Sequence, residues 1–145
     1  SSVLTFKAGG NTAMTINTSA VSYSGNLSIG GLTINGTVTY ASANIAQQTL
    51  TDAATISWDT SLGQVATVTL AGNRAVANAT NLKVGYYTLH VIQDGTGSRT
   101  LTWGGIYKWP AGVAPTLTTN ASARDIITFI SDGTSMYGTY INNVK

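Results

Sequence analysis

Only six side chains in this sequence titrate in the range used for acid–base catalysis: Asp52, Asp59, Asp94, Asp125, Asp132 and His90. Such catalysis needs two or more of these groups converging in one cleft. Asp59, Asp94 and Asp132 each open a turn sequence, Asp59-Thr60-Ser61-Leu62-Gly63, Asp94-Gly95-Thr96-Gly97 and Asp132-Gly133-Thr134. A carboxylate placed there bonds the backbone amides that follow it, so a structural role is expected. Asp52 falls in a linker, and Asp125 beside Arg124 reads as a surface pair.

His90 sits in the middle of an alternating run between Leu89 and Val91, with no second histidine and no acidic neighbour in sequence. Packing in the core or at an interface is its expected role; metal ligation would require a threefold axis to gather three copies of it. The Asp-Gly-Thr loops lack the dense carboxylate spacing of a calcium loop. Nucleophilic triads, glycine-rich phosphate loops and zinc-ligand spacings do not occur in the sequence. These residues therefore predict no catalytic group, metal ligand or cofactor, and the chain is not expected to be an enzyme.

The remaining lead is aromatic. Trp103, Tyr107 and Trp109 crowd with Lys108 into a segment rich in Gly and Pro. Rigid aromatics on a loop are a common means of gripping a sugar ring or an apolar protein patch. The alternative, which is favoured, is that Trp103 and Trp109 close one end of a β-sandwich. Trp103, Tyr107, Lys108 and Trp109 are the candidate ligand-binding residues.

The elements that position these residues are expected to be strands. The chain has 145 residues and only 8% charged residues, and it contains no Glu and no Cys. Strong helix formers are scarce and β-branched residues abound, which favours an all-β fold without disulfides. The net charge of +2 comes from scattered Lys and Arg rather than a basic cluster, so nucleic acid is not an expected partner. No run of about 18 apolar residues spans a bilayer, and residues 1–10 carry no signal-peptide pattern, so the chain reads as soluble and not membrane-inserted. Its start without Met suggests a segment cut from something longer.

Two regions differ in texture. Residues 1–46 consist of alternating pieces three or four residues long, including the echo Leu27-Ser28-Ile29-Gly30-Gly31 and Leu32-Thr33-Ile34-Asn35-Gly36. Strands that short bury too little apolar area to order one chain, so several chains must pool it. Three copies about an axis would share Leu27, Ile29, Leu32 and Ile34, the candidate oligomer interface; the alternative is that these strands form hairpins on the rest of the molecule.

Residues 47–145 hold longer strands, expected near 55–58, 64–70, 74–77, 86–93, 99–103, 125–131 and 135–141. Asp94-Gly95 and Asp132-Gly133 are read as hairpin turns. The expected architecture is a short-repeat β stem followed by an antiparallel β-sandwich head, jelly-roll-like, with an open barrel as second choice. Odd spacing should send Tyr137 and Tyr140 to opposite faces.

Several segments of the head carry a family resemblance: Leu70-Ala71-Gly72-Asn73-Arg74, Asn78-Ala79-Thr80-Asn81-Leu82-Lys83-Val84-Gly85, and the run Gln93 to Trp103. With Lys108-Trp109-Pro110, Ala114-Pro115-Thr116-Leu117-Thr118 and Asp132-Gly133-Thr134, residues 54–145 resemble the C-terminal receptor-binding β-domain of bacteriophage tail fibres and other virion proteins. The repeat at residues 27–36 is similar to the shafts of trimeric phage fibres. The resemblance implies a homotrimeric virion component, made in the bacterial host and carried on the phage particle. It implies attachment to other virion proteins through the stem and to a host-surface glycan or protein through the head. The alternative reading is a capsid decoration or head-fibre protein that binds other virion proteins. A third reading, a fibre-borne glycan hydrolase, requires an essential carboxylate.

Overall fold

The computed structural model describes residues 45–145. All but the last two residues of the expected stem, with Leu27, Ile29, Leu32 and Ile34, lie outside the described residues.

The alternation read from the sequence becomes a sheet with one buried face. Strand β3 (Val65–Leu70) buries Ala66, Val68 and Leu70, and β5 (Val84–Gln93) buries Tyr87, Leu89, Val91 and Gln93. Strand β8 (Arg124–Asp132) buries Asp125, Ile127, Phe129 and Ser131, while β9 (Met136–Val144) buries Met136 and Gly138 near its start. Two short strands, β1 (Gln47–Thr49) and β7 (Tyr107–Lys108), complete a six-stranded sheet in the order β1-β3-β5-β8-β9-β7. A second sheet of three strands, β2 (Thr55–Ile56), β4 (Arg74–Val76) and β6 (Leu101–Trp103), supplies Ile56 and Val76 to the same core. Among the described residues there is no α-helix.

The expected antiparallel pairing requires correction. Strands β1, β3 and β5 pair in parallel, as do β2, β4 and β6, because the chain alternates between the two sheets. Each visit to the small sheet is the crossover that a parallel pair requires. Among the described residues only β5-β8 and β8-β9 are antiparallel, and β7 runs parallel to β9. The all-β class stands, with a mixed six-stranded sheet and a parallel three-stranded sheet around one core.

Asp94-Gly95 accordingly makes a corner and not a hairpin. Asp94 Oδ1 accepts the amides of Thr96 and Gly97, and Gly97 has a φ of 76° where an added Cβ would meet the backbone carbonyl of Thr119. Buried Gln93 then pins the outgoing strand: its Nε2 donates to Arg99 O at 3.0 Å and its Oε1 accepts Arg99 N at 2.8 Å. A side chain thus takes the place of a strand partner and directs the chain to the other sheet. Asp132-Gly133 does form the β8-β9 hairpin, with Gly133 at φ 91°.

Candidate functional site

The β7 segment is where the aromatic lead and the fold meet. Pairing of Tyr107 with Met136 and Lys108 with Tyr137 fixes which way each residue of β7 faces. Tyr107 is buried and donates its hydroxyl to Ala77 O at 3.0 Å, and burial pushes its phenol pKa up. Lys108 faces outward, its Nζ donating to Gly105 O at 2.7 Å. Trp109 is extended, as the residue before a proline must be. Pro110 then stops the ladder and begins a 3-10 turn over Pro110–Gly112.

Trp109 is held from behind by other rings. Its centroid lies 4.9 Å from that of Trp103 and 5.6 Å from that of Phe129, both inclined as edge contacts prefer. Trp103 also meets Tyr107 at 5.2 Å and Phe129 at 6.1 Å. Gly138 on β9 makes room for this arrangement: a methyl group there would overlap the Trp109 ring and stand 2.9 Å from Phe129 Cε1.

In front of Trp109 lies an open groove of about 370 Å³, lined by Lys108, Trp109, Pro110, Ile130, Tyr137 and Thr139, with Gly138 between them. That volume lies within the range of small-ligand sites. The lining is mainly apolar, with an ammonium and two hydroxyls at its margin. The Tyr137 hydroxyl donates to Asp132 Oδ2 at 2.9 Å, and this bond raises the phenol pKa. Asp132 Oδ1 meanwhile accepts the amides of Ser135 at 2.7 Å and Thr134 at 2.8 Å, and these bonds hold its carboxyl below the usual range. The carboxylate beside the groove is thus engaged on both oxygens, and its chemistry is to orient Tyr137. The groove can stack against a ring and hydrogen-bond to its rim.

Of the four candidate ligand residues, Lys108 and Trp109 line the groove, whereas Trp103 and Tyr107 support it from the core side. Tyr137, Ile130 and Pro110 were not among the candidates. The odd spacing of Tyr137 and Tyr140 was the available signal, and the register places Tyr137 opposite outward Ile130 and Tyr140 opposite buried Ile127. A more polar cavity of about 340 Å³, between residues 120–123 and 143–145, has no ring to stack on.

The carboxylates fall elsewhere. Asp59 caps the 3-10 turn at Thr60–Leu62, accepting Ser61 N at 2.9 Å. Asp52 is not an idle linker residue but holds Arg74 through two bonds of 2.8 and 2.7 Å. Asp125 departs from its expected surface pairing with Arg124. It is 3% exposed and accepts Thr118 N and Oγ1 at 2.7 Å each and Asn143 N at 2.8 Å. Among the described residues no group of three or more His, Cys, Asp or Glu side chains gathers at a point that could hold a metal.

Comparison with known proteins places this architecture. Residues 11–136 match the model of the family described as "Putative phage tail fibre C-terminal domain". The chain belongs to this family. No curated protein and no solved structure matches it. As a tail-fibre domain the chain is a structural component of the phage virion, and its family is structural in character and not typically enzymatic.

Proposed function

We propose that this tail-fibre domain is a receptor-binding tip, acting as a homotrimer, that attaches the phage to a glycan on the host surface through the groove between β7 and β9. The observation that carries the reading is the presentation of Trp109: a ring packed edge-on against Trp103 and Phe129 behind, and lining an open groove with Tyr137 in front. A pre-positioned ring loses little conformational entropy on binding, which makes it suited to stacking on a sugar. The uncharged hydroxyl and amide groups elsewhere on the surface, with 8% charged residues in the chain, favour neutral sugars and limit unspecific electrostatic adhesion.

Weak sites repeated on one oligomer gain avidity, because the first contact raises the effective concentration of the others. The stem is proposed to join the remaining virion proteins. Binding of the labelled full chain to host cells, and to surface polysaccharide extracted from them, tests the reading. Trp109→Ala should weaken the single-site affinity by about tenfold or more, roughly 1.4 kcal/mol, without altering the circular dichroism spectrum. Undiminished binding by a folded Trp109→Ala variant would overturn it. Release of sugar fragments would point to the hydrolase reading instead.

A further inference from the structure

The outward face of the six-stranded sheet is less polar than a solvent-facing sheet requires. Of the nine large hydrophobic residues that the described part of the chain exposes, five lie on this face: Val84, Tyr86, Ile130, Tyr137 and Ile141. Their register sets them in rows across the strands: Tyr86, Ile130 and Tyr137 lie side by side on β5, β8 and β9, and Ile141 stands beside Ile126. Charge is confined to the margins. Asp132 and Arg124 stand at opposite ends of β8, and Lys108 lies at the β7 rim. Thr88, Thr128 and Thr139 form the middle row. His90 lies on the same face opposite Ile126, with its Nδ1 buried and without a hydrogen-bond partner among the described residues.

We propose that this face is where copies of the chain meet, three such sheets enclosing a common apolar core about an axis along the strands. The dimensions favour it. Four strands, β3, β5, β8 and β9, at about 4.8 Å spacing make a face about 19 Å wide, and eight residues at about 3.3 Å each make it about 26 Å long. One face is therefore about 500 Å², which each chain contributes whether two or three sheets meet, so every pair of faces covers about 1,000 Å², at the lower limit for a specific interface. Three walls about 19 Å wide stand roughly 5 to 6 Å from their axis, close to half the ~10 Å at which packed sheets interdigitate their side chains. Arg124 ends up at the rim, where water screens it from its copies.

The proposal deepens the receptor-binding reading, on which it rests for the role of the groove. Ile130 and Tyr137 belong both to this face and to the groove, so the ligand binds along the seam between subunits and the neighbouring copy forms one wall of its site.

The absence of native cysteine makes the test direct. Thr128→Cys places one thiol in the middle row of the exposed face, and Thr102→Cys places one on the exposed side of the three-stranded sheet, across the core. The full-length variants are treated at micromolar concentration with a thiol-to-thiol crosslinker spanning about 10 Å and run on a denaturing gel. Covalently linked chains at least about fivefold more abundant for Thr128→Cys than for Thr102→Cys support the proposal. Equal yields overturn it, even if light scattering shows a trimer. Thr88→Cys, in the same row, replaces Thr128→Cys if that variant misfolds. Crosslinking through Thr128 without any cell binding would leave the interface standing and remove the attachment reading.

Discussion

Gly138→Ala is the perturbation that isolates the presentation of Trp109. The added methyl would overlap the Trp109 ring and stand 2.9 Å from Phe129 Cε1, closer than carbon atoms pack. Phe129 cannot give way, since it is fully buried and also contacts Trp58 and Tyr107, at 6.0 and 5.5 Å. Trp109 is only half-buried, sits after the last residue of β7, and is the ring that must move. Overpacking of this kind costs about 1–3 kcal/mol, and part of that is the loss of two edge contacts worth about 0.5–1.5 kcal/mol each. For a domain of this size the melting temperature should fall by about 5–15 °C. The displaced indole should also become more solvated, shifting tryptophan emission to longer wavelength, and binding to host cells should fall as it does for Trp109→Ala. A Gly138→Ala protein with unchanged melting temperature, emission and cell binding would refute the argument that this glycine exists to seat the ring.

Asp125→Ala leaves the half-buried amide of Thr118 and the exposed amide of Asn143 without their acceptor, and with water able to reach the second this predicts a loss of about 1–3 kcal/mol in urea unfolding; Asp125→Asn, which retains one oxygen, should lose about half. A loss below about 1 kcal/mol would restore the surface-pair reading of Asp125. The Arg99 guanidinium and the amides of Gly97 and Thr96 lower the Asp94 carboxyl to about 2 from 3.8. A folded-state value below the unfolded one means a stabilising contribution that is complete above pH 3.8 and lost as pH falls toward about 2. Melting curves across that window should show a decline that is shallower in Asp94→Asn; identical slopes would show that this corner does not govern acid sensitivity.

The long strands were legible because one side of each is core. The alternation of Ala66, Val68 and Leu70, and of Tyr87, Leu89 and Val91, survives as burial. The partner of each strand was not legible. Asp94-Gly95 carries the residue types of a hairpin, and what turns it into a corner is the distant event of Gln93 being buried with Arg99 as its only local bonding partner. Strand β1 holds Gln47, Gln48 and Thr49, polar residues at a sheet edge with no alternation to detect, and β7 is two residues long. Asp125 misled for a similar reason, since nothing near it in sequence announces that Thr118 and Asn143 converge on it. Of the groove, Lys108 and Trp109 could be named from composition, but their partner Tyr137 becomes visible only through the β7-β9 register.

That register explains why the groove sits where it does. The chain leaves the small sheet after Trp103 and joins the large one as its far edge strand, beside β9, which together with β8 comes later in the chain and lies between β7 and β5. An edge strand may contain proline, and Pro110 ends pairing after two residues without exposing an unmet interior partner. The β9 backbone past that point would be bare, since Gly138 has no side chain to cover the core beneath it. Trp109 fills the gap from the side, anchored by Trp103 and Phe129, and so the same ring both closes the core and lines the groove. Closing the core and the proposed contact with a ligand, set against each other when the sequence is read alone, fall on two sides of a single indole. The Trp109 side chain is therefore expected to affect the stability of the fold and binding together, while Tyr137, exposed on the single chain and bonded to Asp132, should affect binding and the association of copies with little effect on the fold itself.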